Sequence, residues 1–490
     1  MDLMIPIDRA SRNSLVEQVY QGILAAIEDE TLGPGQRLPS TREFARQLGI
    51  TRFTVDDAYS RLVGEGYLEA RHVSGTYVAS RVRLAGTAPA AGTAQVVPAR
   101  KLSRWRERLR SSPEAEPAAQ HFAYDFTSGT PAFDRLPLAT WQRLIAREAR
   151  NHDWSRYSYG HTAGLPHLRE AIAAYVGRSR GVTCTPDQVV VTSGSQQSMD
   201  LLMRLVLEPG ASVVVEDPGY WWVRSIAGLT GATIVPVPVD SDGLVVDALP
   251  EPSPDIRLAC VTPSHHTPTG AILPLSRRLA LLEWAERTGA LVMEDDYDGE
   301  LRYDSRPLPA LAALANSAGA SNNVVYVSSF SKVLFPTIRL GYVVLPPDLV
   351  EPFVAALATV SRHAPTLNQA VVAAFIAEGH FERHLAKMRR LYSSRHDALV
   401  AAMDAHLAGI AFRDETMTSA GLHVLARFEI DLTESEIVAR AAAAGIAMDG
   451  AAKTFMVPPE HPHFFLAYTA MPEAKIQEGI ERLASLLRDA

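Results

Sequence analysis

Apolar residues recur through residues 15–32 at Leu15, Val19, Ile23 and Ile27, with Val16, Tyr20 and Leu24 beside them, the spacing of one buried helical face. Gly33-Pro34-Gly35 ends that run. Ser40, followed three residues later by Glu43, marks the start of a second helix carried by Phe44, Ala45 and Leu48 and closed at Gly49. A third helix fits residues 54–62, before Gly64-Glu65-Gly66. The next stretch, YLEARHVSGTYVAS, holds two strand-like runs around a turn at residues 73–76. The pattern therefore predicts three helices and a hairpin over residues 11–80.

Between residues 81 and 120 the periodicity fails, and Ala, Pro, Gly, Ser and Thr dominate, as in a linker. Residues 81–110 carry eight basic side chains and one acidic one, Glu107, so this tether can also lie along phosphates. From residue 121 to 490, short β-branched runs (VVVTSG, SVVVEDPG, LACVTPS, ALVMEDDYD, VVYVSSFSK) alternate with amphipathic stretches. That is the pattern of an α/β sheet covered on both faces. Helices dominate from about residue 350, and a final strand and helix suggest a smaller α+β lobe.

With 490 residues the chain exceeds one ordinary domain, and 47% hydrophobic with 21% charged residues indicates folded cores rather than disorder. No apolar run is long enough to span a membrane, and the N-terminus lacks a leader pattern. Cys184 and Cys260 alone provide neither a disulfide framework nor metal-ligand spacing, so a reducing, cytoplasmic setting without a metal is expected. The net charge of −8 argues against general nucleic-acid coating. Residues 11–80 hold seven arginines against nine acidic residues, so any DNA-reading surface is local.

A helix-turn-helix lays its second helix in the major groove. Here the third predicted helix would be the reader, presenting Thr51, Arg52 and Thr54 at its start, with Arg42 on a phosphate and His72 and Ser74 at the wing tip. An arginine in that position can pair bidentately with a guanine edge. The alternative is a winged helix that binds protein. The string LPSTREFARQLGITRFTVDDAYSRLVGEGYLEARHVSGTYV resembles the GntR family of regulators. That resemblance implies DNA contacts at Arg42, Arg52, Thr54 and the wing from His72 to Gly75. Asp56 departs from members that carry arginine there.

In SSFSKVLFPTIRLGY, Lys332 follows Ser329 and Ser331 and precedes Arg339 by seven residues. A lysine that forms a Schiff base needs a desolvated or cationic neighbourhood, and an arginine can supply it while neutralising a phosphate. VTSGSQQSMDLL turns from strand to helix at Ser195, where free N–H groups favour an anion. VMEDDYDGE ends a strand in consecutive carboxylates and a tyrosine. In this order the segments resemble the fold-type I aminotransferases, which use pyridoxal 5'-phosphate. The resemblance implies Lys332 as the Schiff-base lysine and Ser195, Gln196, Ser329 and Arg339 as phosphate ligands. It places Asp295, or alternatively Asp296, on the pyridine nitrogen, Tyr297 on the ring hydroxyl and Tyr220 stacked on the ring.

A GntR winged helix joined through a linker to such a domain is the architecture of the MocR subfamily. Membership implies a homodimeric regulator that binds operator DNA, in which an effector amine forms an external aldimine in place of Lys332. The rivals are a working aminotransferase that carries a DNA-binding domain, and a sensor of the cofactor itself. Two departures from an enzyme stand out. Thr267 replaces the asparagine that contacts the ring hydroxyl, with His265 or His266 as substitute donors. Phe465 stands where amino-acid transaminases keep a carboxylate-clamping arginine, and Lys453, Arg339, Arg362 and Arg427 are the other candidate cations.

Overall fold

The computed structural model describes residues 5–9, 11, 13–29, 31–71, 75–79, 101–109, 122–151, 158–303, 308–317, 323–413 and 420–488. It divides into two compact units, residues 1–101 and 102–490.

The first unit is a winged helix. Helices α1 (Leu15–Glu28), α2 (Thr41–Leu48) and α3 (Arg52–Gly64) precede the antiparallel strands β1 (Leu68–Arg71) and β2 (Gly75–Val78). Val19, Ile23, Phe44, Val55 and Leu62 are fully buried in its core. Ser40 caps α2 by accepting a bond from Glu43 N, as its sequence spacing predicts. Helix α1 stops four residues short of the predicted end, because the chain turns and Leu32 N bonds Ala26 O, which tucks Leu32 into the core. Helix α3 begins two residues earlier than predicted, because Thr51 caps it by accepting from Thr54 N.

In the second unit, α4 (Arg104–Leu109) lies within the stretch read as tether, and Arg108 Nη1 donates to Leu229 O at 2.9 Å. After β3 (Tyr124–Asp125), α5 (Leu138–Ala149) and α6 (Pro166–Arg180), the main sheet begins with β4 (Val189–Thr192) and α7 (Ser195–Val206). It continues through β5 (Ser212–Asp217), α8 (Trp221–Thr230), β6 (Thr233–Asp240), β7 (Gly243–Leu244) and β8 (Ile256–Val261). Then come α9 (Leu275–Thr288), β9 (Leu291–Asp295), α10 (Leu311–Ser317), β10 (Val324–Ser329) and β11 (Gly341–Val344). The eight strands run in the order β4-β11-β10-β9-β8-β5-β6-β7, with β10, β9, β8, β5 and β6 parallel and β11 antiparallel to both neighbours. All residues of β4, β10 and β11 are buried, which explains their continuous apolar runs.

Helices α11 (Pro347–Val360), α12 (Thr366–Ala377) and α13 (His380–His406) follow. The chain then enters β12 (Ala411–Phe412), β13 (His423–Phe428), α14 (Glu434–Ala443), β14 (Ile446–Ala447), β15 (Asp449–Gly450), β16 (His463–Ala467) and α15 (Glu473–Arg488). Strands β12-β13-β16-β15 form an antiparallel sheet, while β14 pairs with β3. Among the described residues no helix is long and apolar enough to cross a membrane, and no group of His, Cys, Asp and Glu could hold a metal ion.

Candidate ligand site and nucleic-acid interface

In a doubly wound sheet, ligands gather beyond the carboxyl ends of the parallel strands, where loops and helix N-termini converge. Here Tyr220 follows β5, Thr267 follows β8, Asp295 ends β9, and Ser329 ends β10 just before Lys332. They line one cavity of about 220 Å³ together with Ser195, Gln196, Tyr297 and Arg339. These nine residues, all singled out from sequence, are thus brought together. Ser128, Gly129, Trp221, Leu422 and His423 also line it and carried no sequence signal.

Close backbone approach shapes one end. Gly341 has no room for a side chain, since a Cβ there would lie 2.9 Å from the Gly194 backbone. Gly194, at φ 118°, turns the chain into α7, and the Arg339 guanidinium lies 3.7 Å from where its Cβ would be. A helix N-terminus and a guanidinium therefore share one corner, a pairing suited to a phosphate. Opposite, a Cβ on Gly129 would fall 2.4 Å from Lys332 Nζ, so that glycine leaves the amine its space.

The consecutive carboxylates of β9 separate by strand alternation. Glu294 accepts from the N–H groups of Leu311 and Ala312 at 2.8 and 2.9 Å, at the start of α10. Asp296 meets the fully buried Arg180, whose Nε and Nη2 donate at 2.7 and 3.1 Å, and accepts from Tyr326 Oη at 2.5 Å. Asp295 faces the cavity, and its buried Oδ1 has no hydrogen-bond partner among the described residues. Burial, reinforced by Asp296, Asp298 and Glu216, pushes its carboxyl up to about 8, with Lys332 opposing the shift. Of the two aspartates left open by sequence, Asp295 reaches the cavity and Asp296 is committed to Arg180.

The histidines of SHHTPTG do not line this cavity. His265 Nδ1 lies 3.2 Å from Tyr297 Oη and 2.9 Å from Asp298 Oδ2, so it acts through the tyrosine. His266 Nδ1 is 2.8 Å from Thr269 Oγ1, and its ring faces Glu216 at 3.5 Å. Thr267 is the residue that reaches the cavity. Phe465 also lines it, edge-on to His423 with ring centroids 4.8 Å apart. Burial pushes His423 down to about 3, so neither side chain carries charge at neutral pH. Of the other candidate cations, Lys453 lies over the Trp221 ring at 4.0 Å and Arg362 over Tyr159 at 4.3 Å, both outside the wall. Arg427 lines a different cavity.

On the winged helix, Arg52 is exposed, with Nε 3.4 Å from Thr41 Oγ1, and Arg42 is exposed on α2. Thr54 is a correction to its expected DNA contact. It is 9% exposed, and its hydroxyl lies 2.8 Å from that of Thr51, so it completes the helix cap instead of facing outward. Phe53, 78% exposed, presents the apolar surface at this helix start that sequence reasoning overlooked. Gly75, at φ 108°, opens β2 above the Arg37 guanidinium, 3.1 Å from where a Cβ would stand. His72 and Ser74 lie outside the described residues.

The gntR family of bacterial regulatory proteins matches residues 15–78, and the aminotransferase class I and II family matches residues 124–482. The probable rhizopine catabolism regulatory protein MocR of Rhizobium meliloti is 37% identical, over 98% of this chain and 95% of its own. The chain belongs to the MocR-type transcription regulators. The regulator TauR of Rhodobacter capsulatus is 34% identical over 97% of both chains. Among solved structures, the α-aminoadipate aminotransferase LysN of Thermus thermophilus, complexed with N-(5'-phosphopyridoxyl)-L-leucine, superposes with a TM-score of 0.72 at 28% identity. It covers 79% of this chain and 97% of its own. This MocR-type chain is a DNA-binding regulator whose larger unit has the aminotransferase fold.

Proposed function

We propose that this regulator holds pyridoxal 5'-phosphate at Lys332 and that a small primary amine, by displacing Lys332, alters its binding to operator DNA. The observation that carries the proposal is the convergence of Lys332, Arg339 and Asp295 on one cavity, with a buried carboxylate oxygen left unpartnered. A protonated pyridine nitrogen is the partner that such an oxygen lacks, so the residues fit the group. When bound, the cofactor supplies an aldehyde that condenses reversibly with primary amines.

Arg339, Ser195, Gln196 and Ser329 hold the phosphate, with the α7 N-terminus adding its N–H groups. Asp295 keeps a proton on the ring nitrogen, Tyr220 covers the ring face, and Tyr297 bonds the ring hydroxyl while His265 and Asp298 fix its orientation. Arg42 contacts phosphate, while Arg52 and Phe53 read base edges, beside a wing that starts at Gly75. The assembly is a homodimer.

The expectation that transamination is slow or undetectable rests on Phe465 and His423. Transamination requires the substrate Cα–H bond to be held perpendicular to the ring, and a carboxylate clamp does that work. These two neutral rings cannot.

The test is absorbance of the purified chain followed by amine titration, with operator binding measured in parallel. A visible band absent from Lys332→Ala, and an amine-dependent change in both signals, are expected. A band that survives in Lys332→Ala would place the cofactor link elsewhere.

A further inference from the structure

Helix α3 turns Thr54, Val55, Ala58, Tyr59 and Leu62 into the core of the winged helix, which leaves Arg52, Phe53, Asp56 and Asp57 exposed on its outer side. The two aspartates differ in their neighbours. Asp57 stands one turn before Arg61, whose guanidinium is tied to Glu17 of α1 at 2.7 Å and to Glu65 at 3.1 Å. Asp56 stands one turn after Arg52, on the edge toward Thr41 of α2, and three residues after Phe53. No ion pair joins Asp56 to Arg52, and its carboxylate has no hydrogen-bond partner among the described residues.

A carboxylate on a helix that enters DNA sits in the field of the phosphates, and it gains nothing from the duplex unless it meets a hydrogen-bond donor. In the major groove the donors on base edges are the exocyclic amines of cytosine and adenine. Adenine presents N7, an acceptor, beside its amine, whereas the cytosine amine adjoins an apolar C5–H edge, so cytosine is the better match for a carboxylate. Phe53 sharpens the demand. Its ring is 78% exposed, and closing it against the groove strips water from the nearby carboxylate, which then needs a replacement bond. We infer that Asp56 is a specificity-determining residue that accepts from the exocyclic amine of an operator cytosine, near the base that Arg52 reads. This rests on the proposed reading of α3 as the helix that enters the groove.

The experiment lets the cofactor-loaded full chain select a duplex from a randomised pool. The parent chain, Asp56→Ala, Asp57→Ala and Arg52→Ala are then titrated with that duplex, with random DNA, and with duplexes in which single cytosines are replaced by 2-pyrimidinone, which lacks only the amine. One such replacement is expected to cost the parent chain about ten-fold more affinity than it costs Asp56→Ala, while Asp57→Ala behaves as the parent. On random DNA, Asp56→Ala should bind more tightly, because a charge repelled by the phosphates is gone. Tightening on every duplex alike would mean that the carboxylate faces only phosphate, and no change on any duplex would mean that it faces solvent. Either result overturns the inference, as does a cytosine effect equal in the parent and Asp56→Ala. Adenines replaced by purine are the second arm, and a ten-fold effect confined to them overturns the choice of cytosine. Arg52→Ala tests the reading beneath: if it keeps the preference for selected over random DNA, Arg52 is not the reader, while the Asp56 comparison stands or falls on its own result.

Discussion

Three carboxylates in succession at the end of β9 meet three environments, and only one is left for a ligand. Asp295 is held at about 8 against an ordinary 3.8, so between these values the folded chain keeps a proton that the unfolded chain releases. Its contribution to stability is complete below about pH 4 and is lost as pH rises through about 8. The melting temperature of cofactor-free protein should therefore fall across this range, and Asp295→Asn should flatten part of the fall. Glu216 and Glu300, which burial pushes up to about 7, add to the fall, while His266 and His423, which burial pushes down to about 3, oppose it below their ordinary value of 6.5. Melting curves at several pH values decide this, and an unchanged slope in Asp295→Asn would contradict it. Asp296→Asn should behave differently, because it leaves Arg180 buried without its counter-charge. A loss of about 3–5 kcal/mol is expected in denaturant unfolding. Sequence could not separate the two aspartates, since LVM ahead of them is apolar on both faces of a buried strand and shows no alternation. Phe465 was legible for the opposite reason: a missing arginine in a known motif is visible without coordinates.

Capping decides how the reader helix is presented. Thr51 sets its start and Thr54 turns inward to complete the cap, which leaves Arg52 and Phe53 as the outward pair. A motif shared with other winged helices names Thr54 but cannot say whether its hydroxyl serves a base or the backbone. Thr51→Ala should cost about 0.5–2 kcal/mol of domain stability, measured by thermal melting. Arg52→Ala should reduce discrimination at one base pair by about 1–3 kcal/mol, while Arg42→Ala weakens all duplexes alike and flattens the salt slope by about one charge. Titrations of specific and random duplexes at several salt concentrations separate the two, and equal losses on both duplexes for Arg52→Ala would remove it as a base reader. Helix α4 was illegible because a single apolar pair, Trp105 and Leu109, among four charged residues is too short a pattern to mark a helix. A bond from Arg108 to the end of α8 and packing against that helix accompany its fold, whereas composition reports only a polar tether.

At the level of the whole chain, each unit has its own apolar core, so each can keep its fold while the other changes ligand. Sequence disclosed this two-part construction readily, because helical periodicity and strand runs lie on opposite sides of a stretch with neither. It disclosed nothing of a second cavity, whose wall draws on loops and strands scattered from residue 239 to residue 463. Regulation then requires that the amine bind one state of the chain better than the other, since a ligand with equal affinity for both shifts nothing. Linkage makes this measurable from either end. If a saturating amine changes operator affinity by some factor, saturating operator must change amine affinity by the same factor, typically about 5- to 150-fold. The cofactor spectrum reports the amine, and fluorescence anisotropy of a labelled duplex reports the DNA, so both arms can be read on one preparation. Arg52→Ala should remove the effect of the duplex on the amine titration at concentrations where it no longer binds, while leaving the titration without DNA unchanged. An amine that alters anisotropy while the duplex leaves the amine titration untouched would violate linkage, and would mean that the amine acts on the DNA complex somewhere other than at Lys332.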